Sequence, residues 1–186
     1  YKRQIPCIIN GVEVYTDNVV EQVMPHNHSH IIARVHMAGE QEVKNAIDAA
    51  LSAHKSWSTM PWEARAAIFL KASELLKGEY RAKINASTMI NQSKTCHQAE
   101  IDSACELIDF WRFNAQYARE IYEDLQPPVS PSSMWNSSEI RPLEGFVFSV
   151  TPFNFSSIAA NLPSSAAIMG NTGVWKPSRN SYLSNY

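Results

Sequence analysis

The strongest constraint on how this chain folds lies in residues 145–178, where a strand, a helix and a second strand follow one another with short connections. Residues 146–150 carry no charge and are rich in aromatic and β-branched side chains, which is typical of a buried strand. Small and apolar residues over 156–169 predict a helix that stops at Gly170, and Val174 begins the second strand. Strands joined in this way lie parallel, with a right-handed crossover. The sequence therefore predicts an α/β fold.

Each of these predicted strands has a polar residue at or just after its carboxyl end. Asn154 comes after Thr151 and Pro152, and Lys176 closes the second strand. The carboxyl ends of parallel strands share one edge of a sheet, and open α/β sheets bind ligands there. A neutral amide can donate to an oxyanion at any physiological pH, and a lysine can reach the ribose or phosphate of a dinucleotide. The alternatives are an asparagine that satisfies turn backbone and a solvated surface lysine.

Three short motifs in this region resemble the aldehyde dehydrogenase superfamily. They are Thr-Pro-Phe-Asn-Phe at 151–155, Met-Gly-Asn at 169–171 and Trp-Lys-Pro-Ser at 175–178. The phenylalanine before Asn154, together with Asn161 and Leu162 in the predicted helix, is similar to the Δ1-pyrroline-5-carboxylate dehydrogenase branch. The resemblance runs from about Ile5 to Tyr186. Upstream stretches also agree, at 68–72, 98–102 and 106–115.

The resemblance implies an incomplete aldehyde dehydrogenase-like fold, with the amino-terminal strands and helices and the first crossover unit of a parallel sheet that binds NAD. It implies that Asn154 donates a hydrogen bond to the oxyanion formed when a cysteine attacks the aldehyde. It places seven residues at the cofactor: Val150, Thr151, Pro152, Phe153, Lys176, Pro177 and Ser178. The usual Gly-x-Gly-x-x-Gly pattern is absent, so composition alone does not predict dinucleotide binding.

The resemblance also assigns Glu106 and Phe155 to the substrate. In the Δ1-pyrroline-5-carboxylate dehydrogenases the matching glutamate lies at the aldehyde site, and the matching phenylalanine packs on the aliphatic part of the substrate. Glu106 has apolar neighbours along a predicted helix, and a carboxylate near such a face needs a partner or a solvated pocket. The alternative is a glutamate on the helix surface, with Asp102 four residues earlier on the same polar face.

None of the three cysteines lies in the sequence context of the family's nucleophile. Cys7 falls in a predicted strand, Cys105 in an apolar part of a helix, and Cys96 beside residues that cannot face it on a helix. In the family the nucleophile, the base glutamate and the segment that grips the substrate carboxylate lie beyond the position of Tyr186. We therefore expect the chain to be the amino-terminal part of the enzyme, without its catalytic domain, and to be inactive by itself.

The remaining sequence predicts strands first and helices after them. Asn10-Gly11, between apolar runs at 5–9 and 12–16, is a strong hairpin signal, and 30–37 alternates like a further strand. Apolar periodicity and capping residues predict helices at 40–57, 62–77, 80–92 and 96–125.

A change of composition marks the segment before the crossover unit. Residues 126–138 are rich in Pro and Ser and cannot form a helix, whereas 139–143 predict an extended strand. In the family this region protrudes as a flap that pairs with a neighbouring subunit. The predicted organisation is therefore residues 1–126 and 144–186 as the amino-terminal part of the NAD-binding domain, with 127–143 as part of the oligomerisation flap.

Composition argues against several kinds of partner. A net charge of −2 without any basic run argues against nucleic acid, and no stretch approaches the roughly 18 apolar residues that cross a bilayer. Three widely spaced cysteines indicate a reducing compartment rather than a disulfide framework. His26, His28 and His30 alternate after a proline, but no second ligand group accompanies them, so no metal site is predicted.

The function implied by the resemblance is that of the parent enzyme. It is the NAD-dependent oxidation of L-glutamate γ-semialdehyde, formed from Δ1-pyrroline-5-carboxylate, to L-glutamate in proline catabolism. The resemblance also implies the mitochondrial matrix and a homo-oligomer that acts on a small aldehyde. Two alternatives stay open: another NAD(P)-dependent aldehyde dehydrogenase, or a non-catalytic truncated fragment that acts as a binding or dimerisation module.

Overall fold

The amino-terminal part of the chain forms a small three-stranded sheet and a separate hairpin. The computed structural model describes residues 3–186, so the first two residues of the predicted 1–126 domain lie outside the described residues. In the sheet, β1 (Arg3–Ile5) is parallel and β4 (Val19–Met24) antiparallel to β5 (Asn27–His36). In the hairpin, β2 (Cys7–Ile9) pairs with β3 (Val12–Val14).

The predicted hairpin is confirmed, but the predicted strand at 5–9 is wrong as a single element. Asn10 and Gly11 have positive φ angles of 52° and 75°, as a two-residue hairpin turn requires. Pro6 has no amide hydrogen to donate, and it divides the segment between β1 and β2. Ile5 therefore joins the three-stranded sheet, while Cys7 pairs with Val14 in the hairpin.

Strand β5 confirms the prediction at 30–37 and begins three residues earlier, at Asn27. Its antiparallel neighbour β4 is not predicted by the sequence. The register between the two strands shifts on either side of Val23, so β4 lacks the regular alternation by which a half-buried strand is recognised.

The predicted helices are confirmed to within a residue or two. They include α1 (Glu40–Trp57), α2 (Trp62–Lys77) and α3 (Arg81–Gln92), and Gly78 follows α2 as its C-cap. Residue Ser93 after α3 has a left-handed φ of 53°, which turns the chain sharply toward the next helix.

The predicted helix at 96–125 is continuous but changes its hydrogen bonding twice. It consists of α4 (Cys96–Ala99), a first π segment (Glu100–Cys105), α5 (Glu106–Arg119) and a second π segment (Glu120–Asp124). In a π turn the amide bonds five residues back, so an extra residue enters the helix and the faces of the flanking turns rotate relative to each other.

The predicted crossover unit is confirmed. Strands β6 (Val147–Val150) and β7 (Gly173–Lys176) pair in parallel, and α6 (Ser156–Ile168) connects them. Helix α6 is apolar, and it packs on α2 and α5 because these helices meet it with small side chains. The buried cluster formed there contains Ala66, Ala115, Ala118 and Ile168.

The predicted strand at 139–143 is wrong, because these residues join no sheet within residues 3–186. At the last residue of this segment, Leu143, two side chains bind the main chain where a neighbouring strand would otherwise bind it. The Leu143 amide donates to Asn171 Oδ1 at 2.9 Å, and the Leu143 carbonyl accepts from His54 Nε2 at 2.9 Å. Residues 126–138 are not helical, as predicted.

The carboxyl end of α6 is held by side chains from several elements. The last carbonyls of a helix have no partner inside it and need external donors. Here Asn171 Nδ2 donates to Ala166 O at 3.0 Å, Trp57 Nε1 to Ala167 O at 2.9 Å, Arg65 Nε to Ile168 O at 3.0 Å and Tyr122 Oη to Met169 O at 3.5 Å.

Arg65 has the most buried of these donors, with 3% of the residue exposed. Its guanidinium also donates to the Met60 carbonyl, and to Tyr122 Oη at 3.0 Å. Within residues 3–186 it pairs with no carboxylate, so neutral oxygens and the carboxyl end of the α6 dipole compensate its charge.

Gly170 follows α6 at a point where another part of the chain crosses the helix end. Its φ is +89°, and a Cβ built on it would lie 2.7 Å from Pro142 Cγ and 3.3 Å from Arg65 Cζ. Both the left-handed conformation and the missing space therefore require glycine here.

Replacing Arg65 with Met should destabilise the protein strongly. The change leaves the buried Ile168 carbonyl and the half-buried Met60 carbonyl without this donor. A buried orphan costs about 1–3 kcal/mol and a half-buried one about 1 kcal/mol, so we expect a loss of about 2–4 kcal/mol. Urea denaturation measures this free energy of unfolding. Arg112→Met is the matched control, because the Arg112 side chain is 38% exposed in its pair with Glu74 and such surface pairs contribute about 0–1 kcal/mol. Equal losses in the two variants would contradict the prediction.

Candidate active site

Strands β6 and β7 end side by side, which places the predicted site residues Val150 and Lys176 next to each other. Val150 lies opposite Lys176 in the register, and the Thr151 amide donates to the Lys176 carbonyl at 3.3 Å. The Trp175 indole of β7 donates to Thr151 Oγ1 at 2.9 Å. This pair of bonds fixes the start of the loop that carries Asn154 against the end of β7.

The predicted site residues differ in how far they are exposed at this edge. Asn154 and Lys176 are exposed, as are the apolar side chains of Val150 (55%) and Phe153 (53%). Thr151 is buried, and the remaining four are half-buried: Pro152, Phe155, Pro177 and Ser178. An exposed ammonium opposite an exposed valine suits a ligand that combines ring surfaces with polar groups.

Ser178 has a structural partner of its own. Its hydroxyl accepts from the Asn180 amide at 3.4 Å and so caps a 3-10 turn (Arg179–Ser181). That turn leads into α7 (Tyr182–Asn185), which packs through Leu183 on the core of the amino-terminal sheet. The cofactor contact assigned to Ser178 stays a prediction.

Glu106 faces the amino-terminal end of α6. Its carboxylate accepts from Ser157 Oγ at 2.7 Å, and the Glu106 side chain is half-buried while Ser157 is fully buried. This geometry disfavours the alternative of a glutamate on a free helix surface. Its assigned contact with an aldehyde stays a prediction, as does that of Phe155, which precedes the first turn of α6.

Helix α3 also holds the start of α6. Gln92 Nε2 donates to Ser156 Oγ at 2.8 Å and to Ser184 Oγ at 3.0 Å, and Thr88 Oγ1 lies 3.4 Å from Ser156 Oγ. Ser156 and Thr88 are buried, so these bonds form away from water. They fix the end of the Asn154 loop, as the strand pairing fixes its beginning.

The sequence does not single out Lys94, which contacts the middle of the same loop. Its ammonium donates to the Asn154 carbonyl and to Asp102 Oδ2, the latter at 2.5 Å. Lysine in a short turn between two helices has no pattern that distinguishes it from a solvated surface residue. Only the tertiary structure shows that its partner loop lies 60 residues further along the chain.

A polar network anchors the first π segment to α3. Arg81 donates to Glu100 through two nitrogens, and Asn85 Nδ2 donates to the same carboxylate at 2.5 Å. The hydrogen bonds from Arg81 and then from Asn85 lower the pKa of Glu100 to about 2. Glu100 is therefore ionised at neutral pH, and it ties the helix that carries Asp102 and Glu106 to α3.

Two of the three cysteine thiols lie in surroundings that raise their pKa. Burial, followed by the negative charge of Glu100, raises the pKa of the Cys105 thiol, and burial raises the pKa of the Cys7 thiol. Both shifts disfavour the thiolate that attacks a carbonyl. Cys96 is exposed at the start of α4.

Among residues 3–186, no cluster of three or more His, Cys, Asp or Glu side chains is placed to hold a metal ion. No helix among these residues combines the length and apolar character needed to span a bilayer.

Comparison with known proteins identifies the family. Residues 13–186 match the aldehyde dehydrogenase family. The chain belongs to this family. Its fold is that of an aldehyde dehydrogenase as well, since it superposes on the NAD-bound Δ1-pyrroline-5-carboxylate dehydrogenase structure from Mycobacterium tuberculosis with a TM-score of 0.96 at 46% identity.

Similar relatives carry the same enzyme name. The chain is 50% identical to Delta-1-pyrroline-5-carboxylate dehydrogenase of Agaricus bisporus and 48% identical to the human mitochondrial enzyme of that name, in each case over 98% of this chain. It covers 33% and 32% of those two relatives, and 34% of the Mycobacterium structure. The chain therefore spans about a third of the length of these relatives.

Replacing Glu100 with Gln should remove a pH-dependent part of the stability. Because the pKa of Glu100 falls from an ordinary 4.5 to about 2 on folding, its ionised pairing stabilises the protein above pH 4.5, and that contribution is lost as the pH falls toward 2. We expect the difference in free energy of unfolding between wild type and variant to be largest at neutral pH and to shrink over that window. Urea denaturation at a series of pH values measures it.

The matched control for this experiment is Glu40→Gln. The Glu40 side chain is 84% exposed in its pair with Lys44 on α1, so its replacement should change the stability little at any pH. A difference for Glu100→Gln that stayed constant from neutral pH to acid would contradict the prediction.

Proposed function

We propose that the full-length protein containing this chain oxidises L-glutamate γ-semialdehyde to L-glutamate with NAD, and that this chain holds the oxyanion donor and part of the cofactor site. The observation that carries the proposal is the parallel pairing of β6 and β7, which sets the Asn154 loop beside Lys176. It occurs in a chain 50% identical to a relative named for this activity. Proline catabolism is the proposed setting.

Asn154 is proposed as the oxyanion donor. Its side chain is exposed at the carboxyl edge of the sheet, while its main chain is fixed on both sides by bonds to β7 and α3. A preorganised amide aimed at a developing negative charge stabilises the transition state more than the bound aldehyde. Because the donor is neutral, this role does not depend on pH.

The residues at the strand ends fit NAD. The exposed side chains of Val150 and Phe153 offer apolar surface for a ring, and the exposed ammonium of Lys176 offers a donor for ribose or phosphate oxygens. NAD, when bound, supplies the hydride acceptor of the oxidation. A relative of known structure, from Mycobacterium tuberculosis, binds NAD. We assign the cofactor contacts to these residues together with Thr151, Pro152, Pro177 and Ser178.

Glu106 and Phe155 are proposed to contact the substrate. Within residues 3–186 the Glu106 carboxylate has one hydrogen-bond partner, Ser157, and it is only half-buried, so it retains acceptor positions for a ligand. The half-buried Phe155 ring precedes the same first turn of α6. A ring beside a carboxylate suits a short aliphatic chain that carries polar groups.

Residues 127–143 are proposed to form part of an oligomerisation flap. Four large apolar side chains are exposed there, which is unfavourable for a surface that stays in water. Their exposed fractions are 72% for Val129, 68% for Met134, 89% for Trp135 and 66% for Leu143. A homo-oligomer would cover them. The mitochondrial matrix is the proposed compartment, supported by human and Dictyostelium relatives named as mitochondrial.

A direct assay tests the proposed activity. The full-length protein, incubated with NAD and glutamate semialdehyde, should produce NADH that is followed by absorbance. Faster turnover of a different aldehyde under the same conditions would favour another aldehyde dehydrogenase. The absence of turnover with any aldehyde would favour the binding or dimerisation module.

Asn154→Ala in the full-length enzyme should slow the chemical step. Loss of one oxyanion donor costs about 10²–10³ in rate, so we expect kcat to fall by about that factor while NAD affinity stays nearly unchanged. Single-turnover kinetics at saturating NAD measures the step. Asn45→Ala, at an exposed position of α1, is the control. An unchanged acylation rate would instead support the alternative that Asn154 satisfies turn backbone.

Lys176→Ala should show the opposite pattern. The ammonium is assigned to a part of the cofactor remote from the hydride, so its loss should weaken NAD binding more than it slows chemistry at saturating NAD. Direct titration with NAD measures the affinity. Lys55→Ala, at an exposed position in the last turn of α1, is the control. Unchanged NAD affinity in Lys176→Ala would leave Lys176 as a solvated surface residue.

A further inference from the structure

We propose that Lys94 is a positioning residue that holds the Asn154 loop in place, and that Asp102 supplies the counter-charge that lets it do so. The inference rests on the proposed role of Asn154. Its structural basis is independent of that role, because Lys94 contacts the Asn154 carbonyl and the Phe155 ring, and not the Asn154 side-chain amide that would donate to the oxyanion.

Lys94 lies in the tight turn between α3 and α4, and its side chain is only 13% exposed. Burying an ammonium is costly unless it is paired and hydrogen-bonded. Asp102 provides the pair, with its Oδ2 2.5 Å from Lys94 Nζ and its own side chain 19% exposed. Two charges largely removed from water form a stronger and more directional contact than a surface pair does.

The remaining contacts of the ammonium fall on the loop itself. Lys94 Nζ donates to the Asn154 carbonyl, and it lies 4.4 Å from the centre of the Phe155 ring. These contacts fix the peptide group between Asn154 and Phe155 and the plane of the following ring. The orientation of that peptide sets the direction in which the Asn154 side chain leaves the backbone.

Three anchors therefore act on a short segment. The Thr151 amide is bound to β7, the Ser156 hydroxyl is bound to α3, and Lys94 holds the carbonyl midway between them. If Lys94 did not bind the Asn154 carbonyl, residues 152–155 would be held only at the two ends of the loop, by the bonds of Thr151 and Ser156. An oxyanion donor must sit within a few tenths of an ångström of its productive place, so a shift there reduces the rate.

The first π segment contributes to this arrangement. Asp102 lies within it and Glu106 directly follows it. Asp102 binds Lys94, which holds the Asn154 carbonyl, and Glu106 accepts a hydrogen bond directly from Ser157. Glu100 binds the same π segment to α3. The counter-charge of Lys94 is thus held by the helix that also presents Glu106 to the start of α6.

The test uses the full-length enzyme with Lys94→Met, which keeps an apolar stem and removes the charge and the donors. We expect the rate constant of the chemical step, measured in single turnover at saturating NAD, and with it kcat to fall by about 10–100-fold, because small displacements of a catalytic group have effects of this size. KM for the aldehyde and Kd for NAD should stay within about threefold. Hydrogen exchange of peptides that span 152–157 should become faster in the unliganded variant.

The control is Lys44→Met, in an exposed pair with Glu40 on α1, which should leave kcat and the exchange of 152–157 unchanged. Asp102→Asn is the second variant if Lys94→Met does not fold. It removes the counter-charge with little change of shape, and it should show the same split between kcat and KM with a smaller loss, of at least about threefold in kcat.

These measurements distinguish a failure of the Lys94 proposal from a failure of the proposed function. Unchanged exchange at 152–157 or an unchanged kcat would overturn the proposal, and so would a loss confined to NAD affinity, which would make Lys94 a cofactor contact. If wild-type full-length protein oxidises no aldehyde with NAD, the proposed function has failed. The exchange experiment still decides then whether Lys94 holds the loop, because it needs no turnover.

Discussion

Helix α6 is held at both of its ends by side chains from other helices, and the candidate site depends on this arrangement. At the carboxyl end, donors from α1, α2 and the second π segment satisfy its last carbonyls. At the amino end, α3 binds Ser156 and α5 binds Ser157. An apolar helix alone could slide along its neighbours, whereas directional bonds at both ends fix its position and rotation. The loop that leads into α6 is fixed by the same bonds.

Hydrogen bonds also fix the interior. Among the described residues, the largest side chains with less than 2% of their surface exposed are all polar. They are Asn91, Thr88, Ser73, Ser103, Ser157 and Ser181. Their polar atoms have partners in the fold, because an unsatisfied buried group costs free energy that apolar contacts would have to offset. Apolar packing of residues such as Ala118 and Ile168 supplies the cohesion, while these hydrogen bonds select one arrangement among several of similar apolar burial.

Local pattern was enough to predict the crossover unit, the hairpin and the helix bounds, because proline, glycine and apolar periodicity determine those features over a few residues. The rest depended on partners distant in sequence. Strand β4 pairs with β5 despite a shifted register. Residues 139–143 do not form the predicted strand, and at Leu143 the main chain is bound by the side chains of Asn171 and His54. For the site, the edge that brings Thr151 and Lys176 together followed from the parallel strands. The contacts of Lys94 required the folded chain.

The fit around Gly170 limits which residue this chain can carry at that position. Asparagine occasionally takes the place of glycine at a left-handed backbone position. Here the ring of Pro142 and the guanidinium of Arg65 occupy the space that any β-carbon needs. One added methyl group would push apart the base of the 127–143 segment and the buried arginine that binds the end of α6. A single glycine therefore couples the position of residues 142–143 to the end of the helix that connects β6 and β7.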